Sequence, residues 1–171
     1  NGRASDLIRE ASEFAAVSLT TSGDHLWDDA RGELHADADA VLPHCHVVYF
    51  NVPAVTDADF QRQVPGLISW TRTERMLTAL VERRSALGTS NCRMLAVYVV
   101  STLNVGSIVA ADATFARIGL DGVYFKELKS FEPRKLDRIK VGHDDLCERL
   151  AKILPRDRSP SLAAFADSLH H

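Results

Sequence analysis

Apolar positions along the chain switch repeatedly between two spacings, and each switch marks a change of element. Three short runs are dense in β-branched and aromatic residues: His46 to Val52, Arg93 to Thr102 and Val123 to Leu128. Such runs read as strands. The middle one, "RMLAVYVVST", is the strongest. Its apolar residues are continuous instead of alternating, which predicts burial on both faces, as in a parallel sheet covered by helices. Val97, Val99 and Val100 are its expected core. "AVSLTT", Ala16 to Thr21, fits either a helix end or a further short strand, because periodicity alone does not separate the two over so few residues.

Between the runs the spacing becomes helical. Ser5 is the expected N-cap of a first helix with Leu7, Ala11 and Phe14 on one face. Asp24 caps a second through Leu26, Ala30 and Leu34, weakened by Gly32 and stopped by Pro43. Thr56 opens a third. Pro65 stands at the first position of a long helix. There Met76, Leu77, Leu80, Val81 and Leu87 face inward, Arg72, Arg75 and Glu82 face outward, and Gly88 is the stop. Ile108, Ala111, Phe115 and Ile118 form the stripe of the next, closed by Gly119. "SFEPRKLDRIK", from Ser130 to Lys140, reads as irregular or weakly helical. Asp144 and Asp145 then open a helix with Leu146, Leu150 and Ile153 inward, Lys152 suiting its dipole and Pro155 ending it. Ser159 and Pro160 start a last helix through Leu162, Phe165 and Leu169.

Strands that alternate with helices predict an α/β fold: three layers, a mostly parallel sheet flanked by helices, and terminal helices packing on the core. Residues 1–155 read as a single α/β domain and residues 156–171 as a C-terminal helical appendage. A length of 171 residues suffices for a core without metal or disulfide staples. The first residue is Asn1, not Met, which reads as a domain of a larger protein or a processed product. No chemistry is placed on the closing His170–His171 pair.

Composition narrows the classes. Hydrophobic residues make up 46% and charged residues 25%, as in ordinary globular proteins. The net charge of −3 lacks the basic balance of nucleic-acid binders. Asp24, Asp28, Asp29, Glu33, Asp37 and Asp39 form an acidic stretch. Arg134, Lys135, Arg138 and Lys140 form a basic one. Both read as solvated faces. Cys45, Cys92 and Cys147 are odd in number, widely spaced and without a CxxC, which suits reduced thiols in the cytoplasm. No apolar run is long enough for a bilayer and no signal-peptide pattern is visible.

Candidate chemistry concentrates behind the strands, where parallel sheets bind ligands. "STLNVGS" follows the strongest strand and opens a helix. Ser101, Thr102, Asn104 and Ser107 offer hydrogen-bonding side chains, Gly106 permits close backbone approach, and the helix N-terminus favours an anion. The loop "NVPAVTD" adds Asn51, Thr56 and Asp57 if the two strands are neighbours. The competing reading is that these residues cap helices. Neither GxGxxG nor GxxxxGK[ST] is present, so no nucleotide fingerprint and no cofactor is assigned.

Other constellations are incomplete. His44 and His46 flank Cys45 on a strand, but zinc needs three or four ligands and the spacing supplies no more, so no metal is assigned. Cys92 has Arg93 beside it and no histidine partner in sequence. His143–Asp144–Asp145 reads as a helix start. No GxSxG elbow occurs. Glu127–Leu128–Lys129 resembles the (D/E)xK triplet of metal-dependent nucleases in the triplet alone. Its metal would need converging carboxylates, whereas Asp121 is too close and Asp112 falls on a helix.

Two functions follow as expectations. One is a non-catalytic interaction module that binds a protein partner or another copy of itself, away from membranes and nucleic acid. The other is a small-ligand domain or enzyme built on the loops 51–57 and 101–107.

Overall fold

The computed structural model describes residues 2–66, 69–128 and 142–169. Among them the chain runs α1 (Gly2–Ser12), β1 (Val17–Thr21), a 3-10 turn (Asp24–Leu26), β2 (Trp27–Asp28), β3 (Glu33–Leu34), α2 (Asp37–Val41) and β4 (Cys45–Asn51). It continues through α3 (Asp57–Gln63), α4 (Trp70–Ala86), β5 (Arg93–Val100), a second 3-10 turn (Val105–Ser107), α5 (Ile108–Ile118), β6 (Gly122–Glu127), α6 (His143–Ile153) and α7 (Pro160–Ser168). The fold is α/β, with helices packed against a parallel sheet.

The sheet has four strands in the order β1-β4-β5-β6, all parallel. Neighbours follow chain order, so right-handed crossovers bring every connection to one face. The packing agrees. Val48, Phe50, Met94, Ala96, Tyr98, Val100, Val123 and Phe125 point to that face and are buried. They meet Met76, Leu77 and Leu80 of α4 and Ile108, Ala111 and Phe115 of α5 in one continuous core. An aromatic chain runs through it. Trp70 meets Phe115 at 6.1 Å, Phe115 meets Tyr98 at 6.4 Å, Tyr98 meets Phe125 at 5.8 Å and Phe125 meets Phe165 at 5.8 Å. The first three contacts are edge-on, the arrangement that ring quadrupoles favour.

The last helix completes that core and protects an edge. Ser159 Oγ caps it by accepting from the Leu162 amide, with Pro160 at the first position. Leu162, Phe165 and Leu169 are buried with the rest. Ser161 Oγ accepts from the Val123 amide on the outer side of β6, satisfying a donor that an edge strand otherwise exposes.

Several expectations are corrected. The stretch from Asp24 to Leu34 is a 3-10 turn and a small hairpin, not a helix, although its apolar spacing is helical. Asp28 Oδ1 accepts from the amides of Ala30 and Arg31, and Gly32 turns back with φ +68°, so local hydrogen bonds compete with the helix and win. Ser5 lies inside α1, which begins at Gly2; it is buried and donates to Asp37. Leu7 and Phe14 are exposed, so α1 turns inward through Ser5 and Ile8 instead. The long helix starts at Trp70 under a Ser69 cap, not at Pro65. Val97 and Val100 are buried but Val99 is half-buried. "AVSLTT" is a strand from Val17 onward. The basic stretch from Arg134 to Lys140 lies outside the described residues.

Candidate functional site

The loops behind β4 and β5 do meet. Asn104 is 1% exposed and joins them: its Nδ2 donates to the carbonyls of Pro53 (2.9 Å) and Val99 (2.8 Å), and its Oδ1 accepts from the Ser101 amide (2.8 Å). Both ends of the amide are therefore engaged within the protein. Ser101 is buried, and its Oγ accepts from the Leu103 amide. Amides at the helix entrance are used by the 3-10 turn: Val105 N bonds Ser101 O, and Ser107 N bonds Asn104 O. Ser107 Oγ donates to Asp59 of α3. Gly106 is exposed and Thr102 half-buried.

The partners from the first loop serve similar ends. Thr56 Oγ1 caps α3 by accepting from Asp59 N. Asp57 accepts from the amide and hydroxyl of Thr71 and so ties α3 to α4; these bonds hold its carboxyl below the usual range. Asp59 is buried, which pushes its carboxyl up, but hydrogen bonds from Arg62, Thr56 and Ser107 hold it lower on balance. The geometry makes this end of the sheet a clamp between loops. Asn51 stands apart, exposed on the opposite sheet face.

That opposite face carries a broad concavity. Register places Thr20 of β1, Tyr49 of β4, Leu95 and Val97 of β5, and Tyr124 and Lys126 of β6 on it. They floor an open groove of about 740 Å³ whose far wall is the α7 segment with Ala164 and Ser168. Tyr124 is 54% exposed although it sits on a sheet strand. Lys126 Nζ stands 5.5 Å from the centre of its ring. Arg93 adds a second cation. Asp121 also borders the groove but pairs with Arg84, which donates to the Cys92 carbonyl as well. The groove therefore combines an aromatic and aliphatic floor with a positive rim.

The histidines and cysteines singled out from the sequence are dispersed. His44 Nδ1 lies 3.0 Å from Ser12 Oγ, His46 is exposed and Cys45 is buried. Among the described residues no three His, Cys, Asp or Glu side chains form a metal-binding group. Glu127 ends β6, and Lys129 lies outside the described residues. Among those residues, no helix is long and apolar enough to cross a membrane.

Sequence reading missed the groove because its residues are spread over four strands. The available signal was the exposed aromatic in "VYFKEL", which alternates Tyr124 and Lys126 against Val123 and Phe125. Comparison with known proteins gives no matching family model and no significantly similar curated protein.

Proposed function

We propose that the chain is a non-catalytic interaction module that associates with a second copy of itself through the open sheet face. The observation that carries this reading is the groove floored by Tyr49, Leu95, Val97 and Tyr124 and edged by Arg93 and Lys126. A concavity with an aromatic and aliphatic floor, polar walls and two cations on its rim suits a protein segment that carries apolar and acidic side chains. The chain carries such a segment. Leu7 of α1 is 64% exposed and Phe14, in the turn that follows, is 87% exposed. Glu10 and Glu13 are exposed between them. Apolar contacts would bury the two exposed side chains, and the carboxylates would meet Arg93 and Lys126. Three free cysteines, two of them buried, suit the cytoplasmic setting expected for such a module.

The contact is heterologous: a groove on one copy takes a helix from the next. That makes a sharp test by sedimentation velocity over a range of concentrations. The wild type should associate reversibly. Tyr124→Asp and Phe14→Ser should each be monomeric, and mixing the two should restore a one-to-one complex, because one variant keeps its groove and the other its helix. A wild type that stays monomeric at every concentration, or a mixture that fails to pair, would overturn the reading.

A further inference from the structure

Cys147 differs from the other two cysteines in its surroundings. Cys45 and Cys92 are buried. Burial pushes the Cys45 thiol up to about 11 and raises that of Cys92 as well, which leaves both poorly reactive near neutrality. Cys147 is half-buried on α6, with its Sγ 3.8 Å from Nε2 of His143, one helical turn earlier. On the other side of the ring, Nδ1 lies 3.8 Å from Oε2 of Glu127 at the end of β6. The imidazole thus stands between a thiol and a carboxylate, the order of nucleophile, base and orienting acid. Helical spacing accounts for the first pairing. It does not account for the second, since Glu127 comes from another element.

Cys147 also lines a cleft of about 450 Å³ between α6 and α7. Leu150, Ala151 and Leu154 form part of its wall, and Arg156 and Arg158 border it. Both arginines are exposed, and neither is paired with a carboxylate among the described residues. Two guanidinium groups that border the cleft the thiol lines fit a small molecule that carries carboxylates.

We propose that Cys147 is a site of reversible S-thiolation by a small anionic disulfide of the glutathione class, held by Arg156 and Arg158 and assisted by His143. The thiol proton passes to His143 Nε2. The thiolate attacks one sulfur of the disulfide, a new S–S bond forms to Cys147 and the old S–S bond breaks. The leaving thiolate takes the proton back from the imidazolium and departs as a free thiol. Cys147 is oxidised to a mixed disulfide, and the incoming disulfide is the oxidant. Glu127 positions the ring and does not touch the reacting sulfurs.

The test treats the full chain with glutathione disulfide and follows adducts by intact mass and peptide mapping. A single adduct on Cys147, reversed by dithiothreitol, is expected. His143→Ala should slow its formation by roughly tenfold or more, as loss of a proton acceptor does. Because His143 is exposed, this variant should melt as the wild type does. Replacing both Arg156 and Arg158 by alanine should slow reaction with glutathione disulfide but not with uncharged hydroxyethyl disulfide. Native Cys147 reacting no faster than in the urea-unfolded chain, or His143→Ala reacting at the wild-type rate, would overturn the proposal. Equal loss with the charged and uncharged disulfides would overturn the assignment of ligand class.

Discussion

The two faces of the sheet are made from alternate residues of the same strands, yet they have different physical roles. On one face Met94, Ala96, Tyr98 and Val100 of β5 are at most 1% exposed beneath α4 and α5. On the other, Arg93 is exposed and Leu95 and Val99 are half-buried, with only Val97 close to full burial. Chain-ordered parallel strands produce this difference, because every crossover falls on the same side. Covered residues contribute cohesion. Uncovered ones are available for contact with another molecule.

The largest expected effect breaks the covered face. Phe115 touches both Trp70 and Tyr98, so Phe115→Ala should cost about 3–5 kcal/mol in denaturant melts. A loss no greater than that of a surface change would remove the distinction between the faces. Next is the clamp at the carboxyl end of the sheet. Asn104→Ala leaves the Ser101 amide and the carbonyls of Pro53 and Val99 without their partner, and should cost about 1–3 kcal/mol.

A smaller effect comes from acid. Asp57 and Asp59 are held below the ordinary carboxylate value in the folded chain. Their contribution is complete above the unfolded value of about 4 and is lost as pH falls through the lower folded values. Asp59→Asn should therefore flatten the acid limb of a stability-against-pH curve while leaving its shape above neutrality unchanged. The smallest stability effect belongs to the open face. Tyr124→Ala should change the melting free energy by no more than about 0.5 kcal/mol while it weakens self-association. A large destabilisation would mean that Tyr124 serves the fold instead of a partner.

Much of the covered face was legible in the sequence. The stripe of Ile108, Ala111, Phe115 and Ile118, closed by Gly119 at φ +94°, needs only local spacing and one left-handed glycine. The Thr56 and Ser159–Pro160 caps were equally local. What failed was non-local or locally contested. Continuous apolar residues in β5 concealed the difference between its faces, since Leu95, Val97 and Val99 look as core-like as Met94 and Tyr98 until strand order is known. Leu26, Ala30 and Leu34 have helical spacing, but hydrogen bonds to Asp28 turn the chain into a hairpin. Ser101, Asn104 and Ser107 were readable as polar residues behind a strand. Their hydrogen bonds to the neighbouring loop and helix depend on tertiary contacts that their own spacing does not carry.

The three tyrosines permit a direct test, because Tyr98 lies on the covered face while Tyr49 and Tyr124 lie on the open one. Tyrosine nitration mapped by mass spectrometry, in dilute and in concentrated protein, reads both faces at once. Tyr124 should react readily when dilute, Tyr49 and Tyr124 should become protected as concentration rises, and Tyr98 should stay unreactive throughout. Tyr98 reacting like Tyr124, or labelling of Tyr124 that does not change with concentration, would contradict this division between the faces.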